Sequence, residues 1–98
     1  MLPMAGYVLV NDDITDEAVF AEFRELVGAT VEANGGRYLV RGGATEVADG
    51  DWTPGRLVVI EFDSVEQARA WLSSPEYTEI REIRARSASA SVIIAEGV

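Results

Sequence analysis

The chain contains no cysteine, no histidine and no lysine. Without cysteine it has no disulfide, no thiolate nucleophile and no Fe–S cluster. Without histidine it lacks the commonest general base and metal ligand. All 8 cationic side chains are arginine, set against 17 acidic ones, for a formal charge of −9. Phosphate backbones and anionic lipid surfaces are repelled by such a protein, so neither nucleic acid nor a membrane is expected as a partner. No apolar run approaches the ~18–20 residues of a membrane span. Met1 to Gly6 lacks the basic flank and apolar core of a secretory leader. The chain therefore reads as a soluble, acidic, cytoplasmic protein. No calcium-loop or other metal spacing is present, and no tightly bound cofactor is expected.

What the sequence does hold is material for a core. Its 98 residues are 48% hydrophobic, which suits one compact domain spanning residues 1–98 and is too little for two. The most strongly β-patterned part is Gly35 to Phe62. There Arg37–Arg41 lies between Gly-Gly pairs and Arg56–Phe62 follows Pro54-Gly55, so the two read as antiparallel strands joined by a long Gly-rich loop. Ahead of them, Met4 to Asn11 is a short apolar run stopped by the turn formers Asn11-Asp12-Asp13. Thr15 or Asp16 caps a helix whose inward stripe is Val19, Phe20, Phe23, Leu26, Val27 and Val31, closed by Asn34-Gly35-Gly36. After the hairpin, Ser64-Val-Glu-Gln67 is a capping-box pattern, and Val65, Ala68, Trp71 and Leu72 form the buried stripe of a short helix. Pro75 starts another segment, with Tyr77, Ile80 and Ile83 facing in and Arg81 and Arg84 facing water; Glu82 and Arg86 are spaced to pair. Ala90 to Glu96 closes the chain as a fourth strand.

The order β-α-β-β-α-β is the split βαβ arrangement of ferredoxin-like α+β folds, a four-stranded antiparallel sheet with helices on one face. Simple alternation puts Arg37, Leu39 and Arg41 on one face of the second strand, Tyr38 and Val40 on the other. The third strand is apolar on both faces, so the helices cover only half of its demand. An open face bearing Leu39, Leu57 and Val59 calls for a homodimer joined sheet to sheet.

Three ordered motifs then carry a family likeness over nearly the whole chain: GGRYLVRGG (Gly35–Gly43), DW-x-P-x-RLVVIEF (Asp51–Phe62) and SPEY (Ser74–Tyr77). With them the chain resembles the domain-of-unknown-function 1330 family. The resemblance implies a ferredoxin-like protomer of the dimeric α/β-barrel superfamily, in which two sheets pack into a barrel with helices outside. Similar barrels include cofactor-free monooxygenases, isomerases and haem-binding enzymes. Relatives often carry histidine where this chain has Asn34, and proline where it has Asp63. Haem ligation through histidine is thereby excluded.

Several residues have the chemistry of a site, each with a structural reading beside it. Arg37 and Arg41 can clamp a carboxylate, or can pair with Glu61 or with an acid of another subunit. Glu46, in the loop from Gly42 to Gly55 with Asp49 and Asp51, can act as a general base or be one of several solvated acids. Trp52 can cover a pocket or anchor the loop. Tyr77 and Trp71 flank the break between the last two helical segments, where a cleft can form, or are ordinary core residues. If Arg41, Glu46 and Tyr77 form a catalytic set, with Trp71, Trp52 and Arg37 as ligand contacts, they must converge on one void. The two functional hypotheses are a small-molecule enzyme or binder, acting on a carboxylate or aromatic compound, and a non-catalytic dimerisation module.

Overall fold

In the computed structural model, which describes residues 4–98, the first strand does not stop at Asn11. Strand β1 runs Gly6–Ile14 because ladder partners continue on both sides: Asp12 lies opposite Arg56 on one neighbour and Ala90 on the other. The turn formers Asn11-Asp12-Asp13 are overridden by this pairing, and Asp12 extends the inward series Val8, Val10 to a third position. The reading of Met1 to Gly6 as lacking a leader lies partly outside the described residues. The other elements are α1 (Glu17–Ala33), β2 (Arg37–Arg41), β3 (Arg56–Phe62), α2 (Val65–Leu72), α3 (Pro75–Ser87) and β4 (Ala88–Glu96). The sheet order is β2-β3-β1-β4 with every pair antiparallel. This is the expected α+β arrangement, with β4 beginning two residues earlier than Ala90.

Asp16 is the cap of α1: its Oδ1 accepts the Val19 N–H at 3.1 Å. The buried stripe is Phe20, Phe23, Val27, Thr30 and Val31. Leu26, expected in that stripe, is 48% exposed; Thr30 faces inward instead, its hydroxyl accepting Trp71 Nε1–H at 3.0 Å. A small polar group is tolerated there because the indole supplies the hydrogen bond that burial demands. The helix ends as its sequence requires, with Gly35 at φ +78° and the Gly36 N–H donating to Val31 O at 2.9 Å.

Ser64 Oγ accepts the Gln67 N–H at 3.1 Å, half of the expected capping box. The Gln67 side chain leaves the box and donates to Asn34 O at 2.9 Å, tying α2 to the end of α1. Ser74 caps α3 and donates to Trp71 O at 2.7 Å, which fixes the corner between α2 and α3. Arg84 does not face water. It is 9% exposed, with its guanidinium 5.3 Å from the Phe23 ring centre and 5.5 Å from that of Tyr77. Among the described residues, no ion pair joins Glu82 to Arg86.

The hairpin carries the one irregularity that matters for function. Arg37 lies opposite Glu61 and Tyr38 opposite Ile60, but Val40 then lies opposite Val59, a register shift centred on Leu39. A bulge moves every later residue to the other face. Arg41 is therefore opposite Val58 and turns to the helix side, not to the open face with Arg37 as alternation predicts.

The core fills one face of the sheet: Val8, Val10, Val58, Ile60 and Phe62 against Phe20, Phe23, Val27, Val31, Trp71, Tyr77 and Ile80. The opposite face presents Leu9, Leu57, Val59 and Ile93 around the middle of the two central strands. Among the described residues, no helix is long and apolar enough to cross a membrane.

Candidate functional site

The residues singled out from the sequence are spread over the molecule. Arg37 serves the open face, donating through Nε to Glu61 Oε1 at 2.7 Å, while Tyr7 Oη donates to Glu61 Oε2 at 2.9 Å. Those two partners hold the Glu61 carboxyl below its usual range, the Tyr7 hydrogen bond first. Arg37 has thus taken the paired role. Trp52 is 62% exposed and leans over the open face beside Leu9, Leu57 and Ile93. Glu46 is exposed in the Gly42–Gly55 loop, near Trp52 and Pro54. Arg41 stacks on Tyr38, its guanidinium carbon 4.2 Å from the ring centre, in a groove of about 320 Å³ between α1 and β2. Tyr77 and Trp71 are brought together, with ring centres 4.5 Å apart. Arg41, Glu46 and Tyr77 line three different hollows and share none.

The polar centre of the molecule lies elsewhere, at the end of the helix–sheet interior where β1 finishes and β3 begins. Asp12 is 1% exposed, and its Oδ2 is 3.6 Å from Arg56 Nη1. Asp12, Arg56 and Arg84 together border an interior hollow of about 20 Å³ whose other walls include Val10, Phe23, Val27, Tyr38 and Trp71. Tyr38 is the wall shared with the Arg41 groove, and Arg84 is shared with a hollow between α3 and β4 that Tyr77 and Arg81 also line. Aromatic rings back the cations: Arg24 and Arg56 sit 5.2 and 5.4 Å from the Phe20 ring centre. Gly28 lets Arg41 cross α1, since a Cβ there would stand 3.0 Å from its Nη2.

Charge is unbalanced at this place in a way the whole chain is not. Half of the 8 arginines, Arg24, Arg41, Arg56 and Arg84, gather around Phe20, Phe23 and Tyr38. Arg24 meets Glu17 at 3.8 Å and Arg56 meets Asp12, but Arg41 and Arg84 form no ion pair among the described residues. Burial pulls the Arg56 guanidinium below its ordinary value, with Asp12 pulling it back up. Burial raises the Asp12 carboxyl above the usual carboxylate range, opposed by Arg84 and then Arg56, with Asp13 adding a small push upward. Tyr38 and Tyr77 are also raised by burial, so both hydroxyls are neutral near pH 7. Among the described residues, no three acidic side chains gather as a metal ion would require.

The Asp12 shift fixes the sign of a pH effect. A carboxyl raised in the folded state favours folding while protonated, and that contribution is lost as pH climbs from the unfolded value, about 3.9, through the raised one. Urea unfolding of the wild type and Asp12→Asn between about pH 4 and pH 8 is expected to show the wild type losing stability relative to the variant as pH rises. A difference that is flat or grows in favour of the wild type contradicts this origin.

Sequence reasoning passed over Asp12, Arg56 and Arg84. For Asp12 a signal existed: it continues the Val8, Val10 alternation onto the buried face, where a carboxylate needs a partner.

Comparisons place this geometry among known folds. A protein of unknown function from Rhodopseudomonas palustris superposes with a TM-score of 0.74 at 16% identity, over 97% of this chain and 83% of its own. A dimeric ferredoxin-like protein of unknown function from Thermobifida fusca gives 0.63 at 12%, over 96% and 92% of the two chains. A candidate antibiotic biosynthesis monooxygenase from Nitrosomonas europaea gives 0.58 at 18%, over 100% and 93%. Comparison with curated proteins finds no match. The domain-of-unknown-function model DUF1330 matches residues 5–98, nearly the whole chain and all three of its motifs, and the chain belongs to that family.

Proposed function

We propose that the protein is a homodimer that binds a small organic anion, a carboxylate carrying a flat ring, at the arginine-lined end of its helix–sheet interior. The observation that carries the reading is the local excess of cations. In a chain of net charge −9, four guanidiniums lie against the rings of Phe20, Phe23 and Tyr38, and two of them, Arg41 and Arg84, form no ion pair among the described residues, although Arg84 acts on the Asp12 carboxylate through its charge. Guanidinium is the planar donor that matches a carboxylate, and the Tyr38 ring, which lines the groove beside Arg41, offers a face to a flat ring. The groove beside Arg41, which Arg37 and the acidic Glu32 also line, supplies about 320 Å³, at the small end of the range for ligand sites.

The reading makes Arg41 separable from folding, because it is exposed and stacked on Tyr38 at the edge of the sheet. Calorimetric titration with benzoate, phenylacetate and cinnamate is expected to give saturable binding, weakened about tenfold or more in Arg41→Ala, with an unchanged melting temperature for the free variant. Binding is also expected to weaken with added salt. Absence of binding by all three acids at millimolar concentration overturns the proposal.

The dimer belongs to the same reading. Ile93, Leu39 and Trp52 are more than half exposed, and Ile93 and Trp52 line with Leu9 and Leu57 a largely apolar groove of about 260 Å³ on the open sheet face. Charge does not oppose a second copy there, since Arg37 neutralises Glu61 and the centre of the face is uncharged. A second copy would meet this face across a two-fold axis lying in the plane of contact, as an isologous interface requires.

A further inference from the structure

The geometry points to a hydroxyl pocket behind the arginine mouth, so that the anion it takes is a hydroxy acid: its carboxylate on Arg56 and Arg41, its hydroxyl donating to Asp12 Oδ1. This rests on the anion-binding reading above and names the ligand class. Asp12 Oδ1 and Tyr77 Oη are buried with no hydrogen-bond partner among the described residues. Buried polar atoms are nearly always satisfied, and one left bare costs more than a surface one, so an orphaned acceptor in a hollow calls for a donor from outside the chain.

The size and charge of the hollow decide which donor. About 20 Å³ admits one oxygen-sized group and no more. A second carboxylate there would set like charges against Asp12. An ammonium group would face Arg56 and Arg84. A methyl group would leave Oδ1 unpaired. A neutral hydroxyl fits all three constraints: it donates to Asp12, and its own oxygen can accept from Arg84, which borders the same hollow. Of the remaining walls, Val10, Phe23, Val27, Val58 and Ile60 are apolar, Trp71 donates its N–H to Thr30, and Tyr38 is the one that carries a further hydroxyl. Tyr38, the wall this hollow shares with the groove that holds Arg41, is the side chain the rest of the ligand must pass.

Matched pairs of acids test this by titration calorimetry: mandelate against phenylacetate, and 3-hydroxybenzoate against benzoate, which hold the hydroxyl at two distances from the carboxylate. In at least one pair the hydroxy acid is expected to bind the wild type about tenfold or more tightly than its partner. Asp12→Leu is expected to abolish that preference while still binding the plain acid. Should Asp12→Leu not fold, Val27→Leu serves, because it fills the hollow with an apolar carbon and leaves Asp12 in place. Equal binding of both members of both pairs to the wild type overturns the proposal and leaves anion binding standing; a water molecule satisfying Asp12 gives that result. A preference that survives either substitution also overturns it. If no acid of the four binds, the anion-binding reading itself has failed.

Discussion

Trp71→Ala is expected to destabilise the protein by about 3–5 kcal/mol, the usual cost of emptying a large buried aromatic site. In a domain of this size that lowers the melting temperature by more than about 10 °C. Trp71 is 1% exposed, packs its ring 4.5 Å from Tyr77 and 5.7 Å from Phe62, and satisfies Thr30 through its indole nitrogen. Truncation therefore removes dispersion contacts on two sides and leaves a buried hydroxyl without its donor, so repacking cannot recover the loss. It also merges the interior hollow with a new cavity. The other tryptophan supplies the control. Trp52 is 62% exposed on a loop, and Trp52→Ala is expected to change protomer stability by less than about 0.5 kcal/mol. Urea unfolding followed by circular dichroism checks both; a loss below about 1 kcal/mol at Trp71 contradicts the packing described here.

The same contrast shows where the sequence is legible. Local signals separate the two tryptophans: Trp71 lies in the apolar stripe that follows the Ser64 cap, whereas Trp52 lies in the loop between Gly42 and Gly55. The helices and strands were readable because their periods, caps and turn residues are local signals, and the order β-α-β-β-α-β follows from them. The side assignment in β2 was not readable. A bulge at Leu39 has no sequence mark, yet it sends Arg41 to the helix side and leaves Arg37 on the open face with Glu61. The strand limit at Asn11 failed for a related reason, because two ladders outweigh three turn formers.

The candidate site was legible only in part. Aromatic residues and arginines were recognised as the chemistry to watch, but the set Arg41, Glu46 and Tyr77 is divided among three hollows. Arg56 and Arg84 looked like ordinary surface charges: one opens a strand and the other follows the helical acids Glu79 and Glu82. Their role comes from Asp12, which lies 44 and 72 positions away in a chain whose fold alone brings them together. A buried carboxylate recruits cations wherever the topology supplies them, and no spacing rule records that. Once Asp12 is placed inside, Arg56 and Arg84 stop being surface charges and become one electrostatic unit with it.

Leu9→Arg is expected to turn the proposed dimer into monomer at micromolar concentration, with the dissociation constant raised at least about a hundredfold. Leu9 lies at the middle of the open face, opposite Val59 on one side and Ile93 on the other. In the protomer its side chain projects away from the core, and an arginine stem can lie along Leu57 and Ile93 with its head in water, so the fold is retained. In a two-fold sheet-to-sheet dimer the same head would be buried without a partner. Symmetry would bring a second one to face it, adding like-charge repulsion to desolvation. Leu26→Arg is the matched control: the same chemical change on an exposed leucine of the outer helix, expected to leave the dimer intact. Sedimentation velocity distinguishes the cases. A wild type that sediments as monomer, or a Leu9→Arg protein that stays dimeric, places the subunit contact somewhere other than this face.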